Sequence, residues 1–280
     1  MIVAELRQKF PLSGLLKVAG LSRSTFYYQL EAKGIERRHA ALKQAIQRVY
    51  NEHKGRYGYR RVTATIRRTG TLVNHKSVQR RMNEMDLRSI ARVKKYRAYR
   101  GEQNLVAPNL LNRKFKASKP NEKWVTDVTE FRIKGEKLYL SPIVDLFNGE
   151  VVSYEASRRP LFPMIDAMLR KGFARLGKSD APLLHSDQGW QYTMPLYREL
   201  LVENRLTLSM SRKGNCYDNA PAESFFGALK AEFFYPGSFV SIEALQRGLG
   251  EYIDYYNNKR IKLGLGGMSP VEYRLQRSVV

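Results

Sequence analysis

The stretch from residue 123 to residue 157 most constrains what this chain can fold into. KWVTDVTEFRI is rich in Val, Thr, Phe and Trp and reads as a strand. Gly135 allows a turn, and LYLSPIVDLF reads as a second strand in which Pro142 marks an irregularity or an edge. Asn148-Gly149 is a strong hairpin signal, and VVSYEAS follows as a third strand. The period then switches. Phe162, Ile165, Met168, Leu169 and Phe173 mark one face of a helix. LLHS is a short buried strand, PLYRELLVEN a helix and LTLSM another strand. Pro221 suits the first turn of a helix over 221–234. Ile242, Leu245, Leu249 and Ile253 stripe a further helix over 241–258. A meander followed by alternating helix and strand implies a mixed α/β sheet with helices packed on it.

Upstream the pattern is helical. Leu12, Leu15 and Leu16 recur at helical spacing, Gly20 can end that helix and Ser22 can cap the next. This outlines a short helix-turn-helix over 1–33, whose second helix presents Arg23, Ser24 and Tyr27. Over 34–90 the outline repeats at larger scale. Leu42, Ile46 and Tyr50 mark one helix, which Gly55 and Gly58 break. Val62 and Ile66, with Arg60, Arg61 and other arginines around them, give a second helix, closed by Gly70. Asn74 can cap a third, HKSVQRRMNEM, with Val78, Met82 and Met85 inward and His75, Lys76, Gln79, Arg80 and Arg81 left for the other side. Those residue types bind phosphates and base edges, although a solvated helix face has the same look. Residues 91–120 form a basic connector without clean periodicity, suited either to lying along a phosphate backbone or to a charged linker.

Charge separates the two halves. Residues 1–120 hold 28 basic and 7 acidic side chains, whereas residues 121–280 hold 21 and 19. Such a field draws polyanions, nucleic acid first among them. A single cysteine, Cys216, excludes an internal disulfide framework and a zinc cluster built on several thiolates. No apolar run is long enough for a membrane span, and the start lacks a signal-peptide core, which points to the cytosol.

Three acids are candidates for chemistry. Asp127 shares a face with Val125, Thr129, Phe131 and Ile133, where a carboxylate is costly to bury unless bonded, protonated or metal-bound. Asp187 follows a short strand, and sites in open α/β sheets lie beyond strand carboxyl ends. Glu223 opens a helix on which Gly227 and Lys230 share its face, while Phe225, Leu229 and Phe233 share another. Each has a plainer explanation: a hydrogen-bonded structural acid, a turn residue before glycine, a partner of the helix dipole. Asp145 and Asp218 are further acids of the same kind. Between Asp127 and Asp187 lie 59 residues, and between Asp187 and Glu223 lie 35.

WVTD, HSDQGWQY and the NAPAESFFGALK helix at this spacing resemble the DDE catalytic core shared by bacterial transposases and retroviral integrases. The resemblance is closest to the second-frame transposases of the IS-three family of insertion sequences and spans nearly the whole chain. YYNNKRIKLGLGGMSPVEY resembles that family's C-terminal signature, with Lys262 where many relatives carry histidine. GRYGYRRV with NHKSVQRRM resembles its second helix-turn-helix, and APNLLNRKF its connector.

The resemblance implies an RNase H-like five-strand mixed sheet with flanking helices over 121–280, preceded by small all-α helix-turn-helix modules. It implies that Asp127, Asp187 and Glu223 are catalytic and bind two Mg²⁺ ions, with Mn²⁺ as a substitute, for two-metal phosphoryl transfer. Lys230 maps to the basic residue that touches the transposon end. His185 is either a catalytic base or, as the preferred reading, a support for the strand end of Asp187. The implied partners are double-stranded DNA, as terminal inverted repeats and target, a second copy of the chain or more, and an upstream-frame DNA-binding protein or fusion. The implied location is the bacterial cytoplasm, at the nucleoid. A DNA-binding regulator with an inactive core and a nuclease for RNA–DNA hybrids are the competing functions.

Overall fold

The structure is a computed structural model that describes residues 2–90, 107–212 and 215–278. The chain divides into two compact units, Met1–Ser89 and Ile90–Val280.

The first unit is helical: α1 (Ile2–Leu6), α2 (Leu12–Ala19), α3 (Arg23–Glu52), α4 (Tyr59–Arg68) and α5 (His75–Glu84). Its stops and starts follow local chemistry. Gly20 ends α2 at φ 63°, a left-handed conformation glycine adopts at no steric cost. Ser22 Oγ then accepts from Thr25 N–H at 3.1 Å, and Asn74 Oδ1 accepts from Lys76 N–H at 2.9 Å, so both expected caps are present. Val3, Leu16 and Phe26 form one small core. Ile46, Val49, Tyr57, Val62, Ile66, Val78 and Met82 are buried further along the chain. The separate helices expected on either side of residue 33 are a single helix, α3, of 30 residues. Gly34 carries no local signal strong enough to stop it.

The second unit is built on β1 (Lys123–Thr126), β2 (Thr129–Ile133), β3 (Glu136–Asp145), β4 (Val151–Ser157), β5 (Leu183–Ser186) and β6 (Thr207–Met210). Its helices are α6 (Phe162–Phe173), α7 (Trp190–Thr193), α8 (Pro195–Glu203), α9 (Ala220–Leu229), α10 (Ile242–Asn258) and α11 (Pro270–Ser278). The sheet is mixed, as expected: β2, β3, β4 and β1 pair antiparallel, while β1, β5 and β6 run parallel. Alternating residues face opposite layers. Val125 and Val144 pack with α9 and α10, and Trp124 and Ile143 pack with α6 and α8.

The sheet has six strands rather than five. The extra one comes from KWVTDVTEFRI, which is two strands. Thr126 lies opposite Ile143 and Thr129 opposite Leu140, so both halves keep one register against β3. Asp127 thus falls opposite Pro142, which has no N–H to donate to a ladder. Pro142 is therefore an irregularity in an interior strand, and its effect lands on the acid across from it.

The connector also differs from the expectation. Residues 91–106 lie outside the described residues. Residues 107–111 pack against the sheet: Met210 N–H donates to Pro108 O at 3.2 Å, and Leu111 is buried in the core. Among the described residues no helix is long and apolar enough to cross a membrane.

Beyond α9 the helix continues as a π-turn, Lys230–Phe234, held by a buried ion pair. Arg260 donates from Nη2 and Nε to Glu232 at 2.6 and 2.7 Å, and Tyr252 donates to the same carboxylate at 3.1 Å. Lys262 donates to Gly149 O at 3.0 Å and lies 4.8 Å from the Tyr256 ring centroid, so it makes a packing contact. Replacing Glu232 by Ala strands the Arg260 charge in the interior and is expected to cost about 3–5 kcal/mol in urea unfolding.

Candidate active site

The parallel register of the sheet brings the first two acids together. Lys123 lies opposite Leu183, Trp124 opposite Leu184 and Val125 opposite His185. Carried two residues on, the same register sets Asp127 beside Asp187, just past the carboxyl ends of β1 and β5. The 59-residue spacing is this register written along the chain.

Each carboxyl group is oriented by backbone. Val128 N–H donates to Asp127 Oδ1 at 2.7 Å, and Gly189 N–H donates to Asp187 Oδ1 at 2.9 Å. A Cβ on Gly189 would meet Asp187 Oδ1 and Gln191 Oε1 at 3.0 Å each, so a larger residue would have to push the carboxyl group aside. The second oxygen of each carboxyl group carries no hydrogen bond among the described residues. A cavity of ≈ 240 Å³ opens over the pair, lined among others by Asp127, Asp187, Glu130, Tyr139 and Tyr192. Tyr192 is buried, with its hydroxyl 3.4 Å from Thr126 Oγ1.

Glu223 reaches the same end of the sheet on the first turn of α9. Asn219, just before α9, donates from Nδ2 to Thr126 O at 3.0 Å and so ties the helix start to the residue preceding Asp127. Lys230 is half-buried, with its ammonium 5.6 Å from the Phe131 ring centroid. A Cβ on Gly227, between them, would meet nothing within 4 Å. The face carrying Glu223 and Lys230 is open, as the helical spacing suggests, and Phe225 and Leu229 are buried on the other.

Burial, then the charge of Asp187, pushes the Asp127 carboxyl up to about 8, with Glu223 adding to the rise and Val128 N–H and Lys230 opposing it. Burial raises Asp187 as well, against the Gly189 N–H bond. Burial lowers the Lys230 ammonium, and Asp127 and Glu130 oppose that shift. Among the described residues no three of His, Cys, Asp and Glu lie close enough together to hold a metal ion as a closed cluster. The donor set nevertheless fits a hard divalent cation. It is made of carboxylate oxygens, two of them without hydrogen bonds, on groups whose mutual repulsion a cation would offset.

The competing acids have structural roles. Asp145 is buried and accepts from Asn121 N–H, Phe147 N–H and Arg274 Nη2, each at 2.9 Å. Asp218 is fully buried and ion-paired to Arg113 and Arg212. His185 is fully buried, and burial lowers its imidazole to about 4. Its ring nitrogens lie 2.8 Å from Ser209 Oγ and 2.9 Å from Ser211 Oγ. Ser209 Oγ also accepts from Leu110 and Leu111 N–H, so its proton goes to His185 Nδ1. This histidine is a neutral brace between β5 and β6.

In the helical unit, Arg23, Ser24 and Tyr27 are exposed on the first turns of α3. The exposed face of α5 carries His75, Lys76, Gln79 and Arg80, opposite buried Val78 and Met82. Arg60 is exposed over Tyr59, and Arg61 is half-buried over Tyr57. Arg81 departs from the expectation. It is buried, pairs with Glu84, and has Nη2 3.1 Å from His39 Nε2. Its place beside Met82 on the inward face accounts for this.

Two stretches, 117–216 and 223–277, match integrase core domains, and 36–95 match an HTH-like domain. InsK of insertion sequence element IS150 from Escherichia coli (strain K12) is 53% identical over 275 residues, 98% of this chain and 97% of that one. Transposase InsF for insertion sequence IS3A, from the same strain, is 31% identical over 272 residues, 95% of this chain and 94% of its own. The chain belongs to the IS-three family of insertion-sequence transposases. Among solved structures, the HTLV-2 integrase catalytic core domain in complex with magnesium is similar at 19% identity and a TM-score of 0.44, covering 56% of this chain and 98% of that one.

Sequence reasoning missed the parts of this transposase that hold the acids in place. Asn219, Asn109 and Arg113 carry no periodic signal, and Asp218 was legible only as a further acid. The one local clue is an Asn ahead of Pro221, where a helix start needs a polar side chain.

The raised Asp127 has a thermodynamic consequence in metal-free protein. An acid raised from 3.8 unfolded to about 8 folded binds its proton more tightly in the folded state. Its contribution to stability is present below 3.8 and is lost as pH rises through about 8. In thermal unfolding with chelator, the parent should therefore lose stability relative to Asp127→Asn across that window, and added Mg²⁺ should remove the loss.

Proposed function

We propose that this transposase nicks DNA at the 3′ ends of its insertion sequence and joins the freed 3′-hydroxyl to another phosphodiester. The observation that carries this reading is the pairing of Asp127 with Asp187 at adjacent strand ends, with Glu223 in electrostatic reach. A bound pair of Mg²⁺ ions, or Mn²⁺ in their place, would activate the attacking oxygen and stabilise the leaving one in an in-line displacement. Asp127, central among the three, would contribute to both ion positions, and Asp187 and Glu223 to one each. Val128 N–H and Gly189 N–H keep the two aspartates turned toward the cavity. Lys230, on the open face of α9, would hold a phosphate of the element end. No protein nucleophile is required, which agrees with a His185 whose ring nitrogens both face serines.

The helical unit would recognise the terminal inverted repeats. His75, Lys76, Gln79 and Arg80 would face the groove, with Arg60 and Arg61 on the backbone and Arg23, Ser24 and Tyr27 as a second contact. Two ends must be joined, so the working form would be a dimer or larger on DNA, with target DNA and an upstream-frame protein or fusion as further partners. It would act in the bacterial cytoplasm, at the nucleoid.

The test is incubation of the full chain with Mg²⁺ and labelled inverted-repeat duplex. Asp127→Asn, Asp187→Asn and Glu223→Gln should each abolish nicking and joining while DNA binding stays near the parental level. Near-parental joining by any one of them removes that residue from the site. Binding without chemistry by the parent would instead favour a regulator, and cleavage of RNA–DNA hybrids a nuclease. Separately, Arg80→Ala should weaken binding at the repeat by roughly 1–3 kcal/mol in a gel-shift titration if it reads a base, and alter preference at one position.

A further inference from the structure

Asp218 is fully buried, yet two arginines approach it from the surface with side chains 46% and 52% exposed. Arg113 donates from Nε to Oδ1 at 2.7 Å. Arg212 donates from Nη2 to Oδ1 at 2.9 Å, and from Nε and its backbone N–H to Oδ2 at 2.8 and 3.2 Å. Asn109 Nδ2 adds a bond to Oδ2 at 2.9 Å. These bonds hold Asp218 well below the usual carboxylate range, the Arg212 bond first among the causes. One arginine with Asn109 and a backbone N–H would already satisfy a single carboxylate. The second arginine leaves the cluster with an excess positive charge, fixed in direction and facing solvent. Arg113 is further restrained by Asn215, 3.2 Å from Nη2, and by the Tyr217 ring, 5.8 Å from Cζ.

The cluster is tied through its chain neighbours to both sides of the cleft. Ser211 N–H donates to Ser186 O at 2.8 Å, and Gln188 Nε2 donates to Ser211 O at 3.0 Å, so Arg212 follows directly on the residue that braces the Asp187 turn. On its other side Asp218 precedes Asn219, which bonds Thr126 O beside Asp127. A guanidinium has five N–H donors in a planar fork suited to phosphate. The bonds to Asp218 and Asn215 use only some of them.

We propose that Arg113 and Arg212, aimed by Asp218, form a phosphate clamp for the DNA strand entering the cleft of Asp127, Asp187 and Glu223. The clamp rests on the proposed function only in that DNA enters this cleft. The plainer alternative is that both arginines serve solely as counter-ions of Asp218.

The experiment uses the full chain in chelator without divalent metal, so that binding is read apart from chemistry and the outcome does not depend on the roles of the acids. Binding to a duplex bearing the terminal repeat is measured over a salt series. Arg113→Gln and Arg212→Gln should each reduce the slope of log K against log salt by about 1, and the pair by about 2. Arg113→Lys should keep the slope. Asp218→Asn should lower thermal stability without reducing the slope, because both cations remain. In a second arm, neutral methylphosphonates replace the phosphates flanking the cleavage bond. They should weaken binding by the parent several-fold and by the double Gln variant much less. An unchanged slope in a double variant that circular dichroism shows to be folded, or an equal methylphosphonate penalty in both proteins, overturns the clamp.

Discussion

The structure turns on two carboxylates that the sheet forces to be neighbours. β1 and β5 run parallel, and their register, carried two residues on from Val125 and His185, reaches Asp127 and Asp187. Adjacent strands are about 4.8 Å apart, so the charges repel at short range in a partly desolvated cleft. Much of the surrounding structure holds that repulsion in place: backbone N–H groups on one oxygen of each acid, Tyr192 buried beneath, Lys230 half-buried nearby. Strain of this kind persists only where a ligand of opposite charge relieves it or protonation removes it.

The elements around the cleft divide into those that aim the acids and those that keep the aim. Pro142 interrupts the ladder opposite Asp127, so the acid leaves the pairing line where it must point outward. Gly189 lets the Asp187 turn close on its own carboxylate. Asn219 fixes the start of α9 against β1, which brings Glu223 to the same end of the sheet. Farther out, the Glu232–Arg260 pair secures the π-turn that begins at Lys230. The His185 bridge between Ser209 and Ser211 locks β5 to β6 and, through Leu110 and Leu111, draws the connector onto the core.

Much of this was legible from residues alone. The meander, the later strands and helices, the caps at Ser22 and Asn74 and the helix start at Pro221 follow from periodicity and local chemistry, which act over a few residues. The exposed face of α5 follows from the burial of Val78 and Met82. Where the expectation missed, a longer-range contact had intervened. Arg81 turned inward because His39 and Glu84 receive it there. Residues 107–115 joined the core because Ser209, Asp218 and Met210 bind them, and no local pattern announces partners about a hundred residues away. The first strand split because of a proline in its neighbour.

Sequence by itself determined the class of fold, the placement of charge in the first 120 residues and three candidate acids at a telling spacing. Local pattern alone could not choose among the acids, because Asp145 and Asp218 sit in equally plausible contexts, and only the family resemblance singled out Asp127, Asp187 and Glu223. Tertiary structure separated their surroundings. It gave Asp145 and Asp218 arginine partners and left Asp127 and Asp187 with each other. The reason is physical: the state of a buried carboxylate depends on the charges and donors within a few ångströms of it. In this chain those neighbours come from strands and loops that only folding brings together.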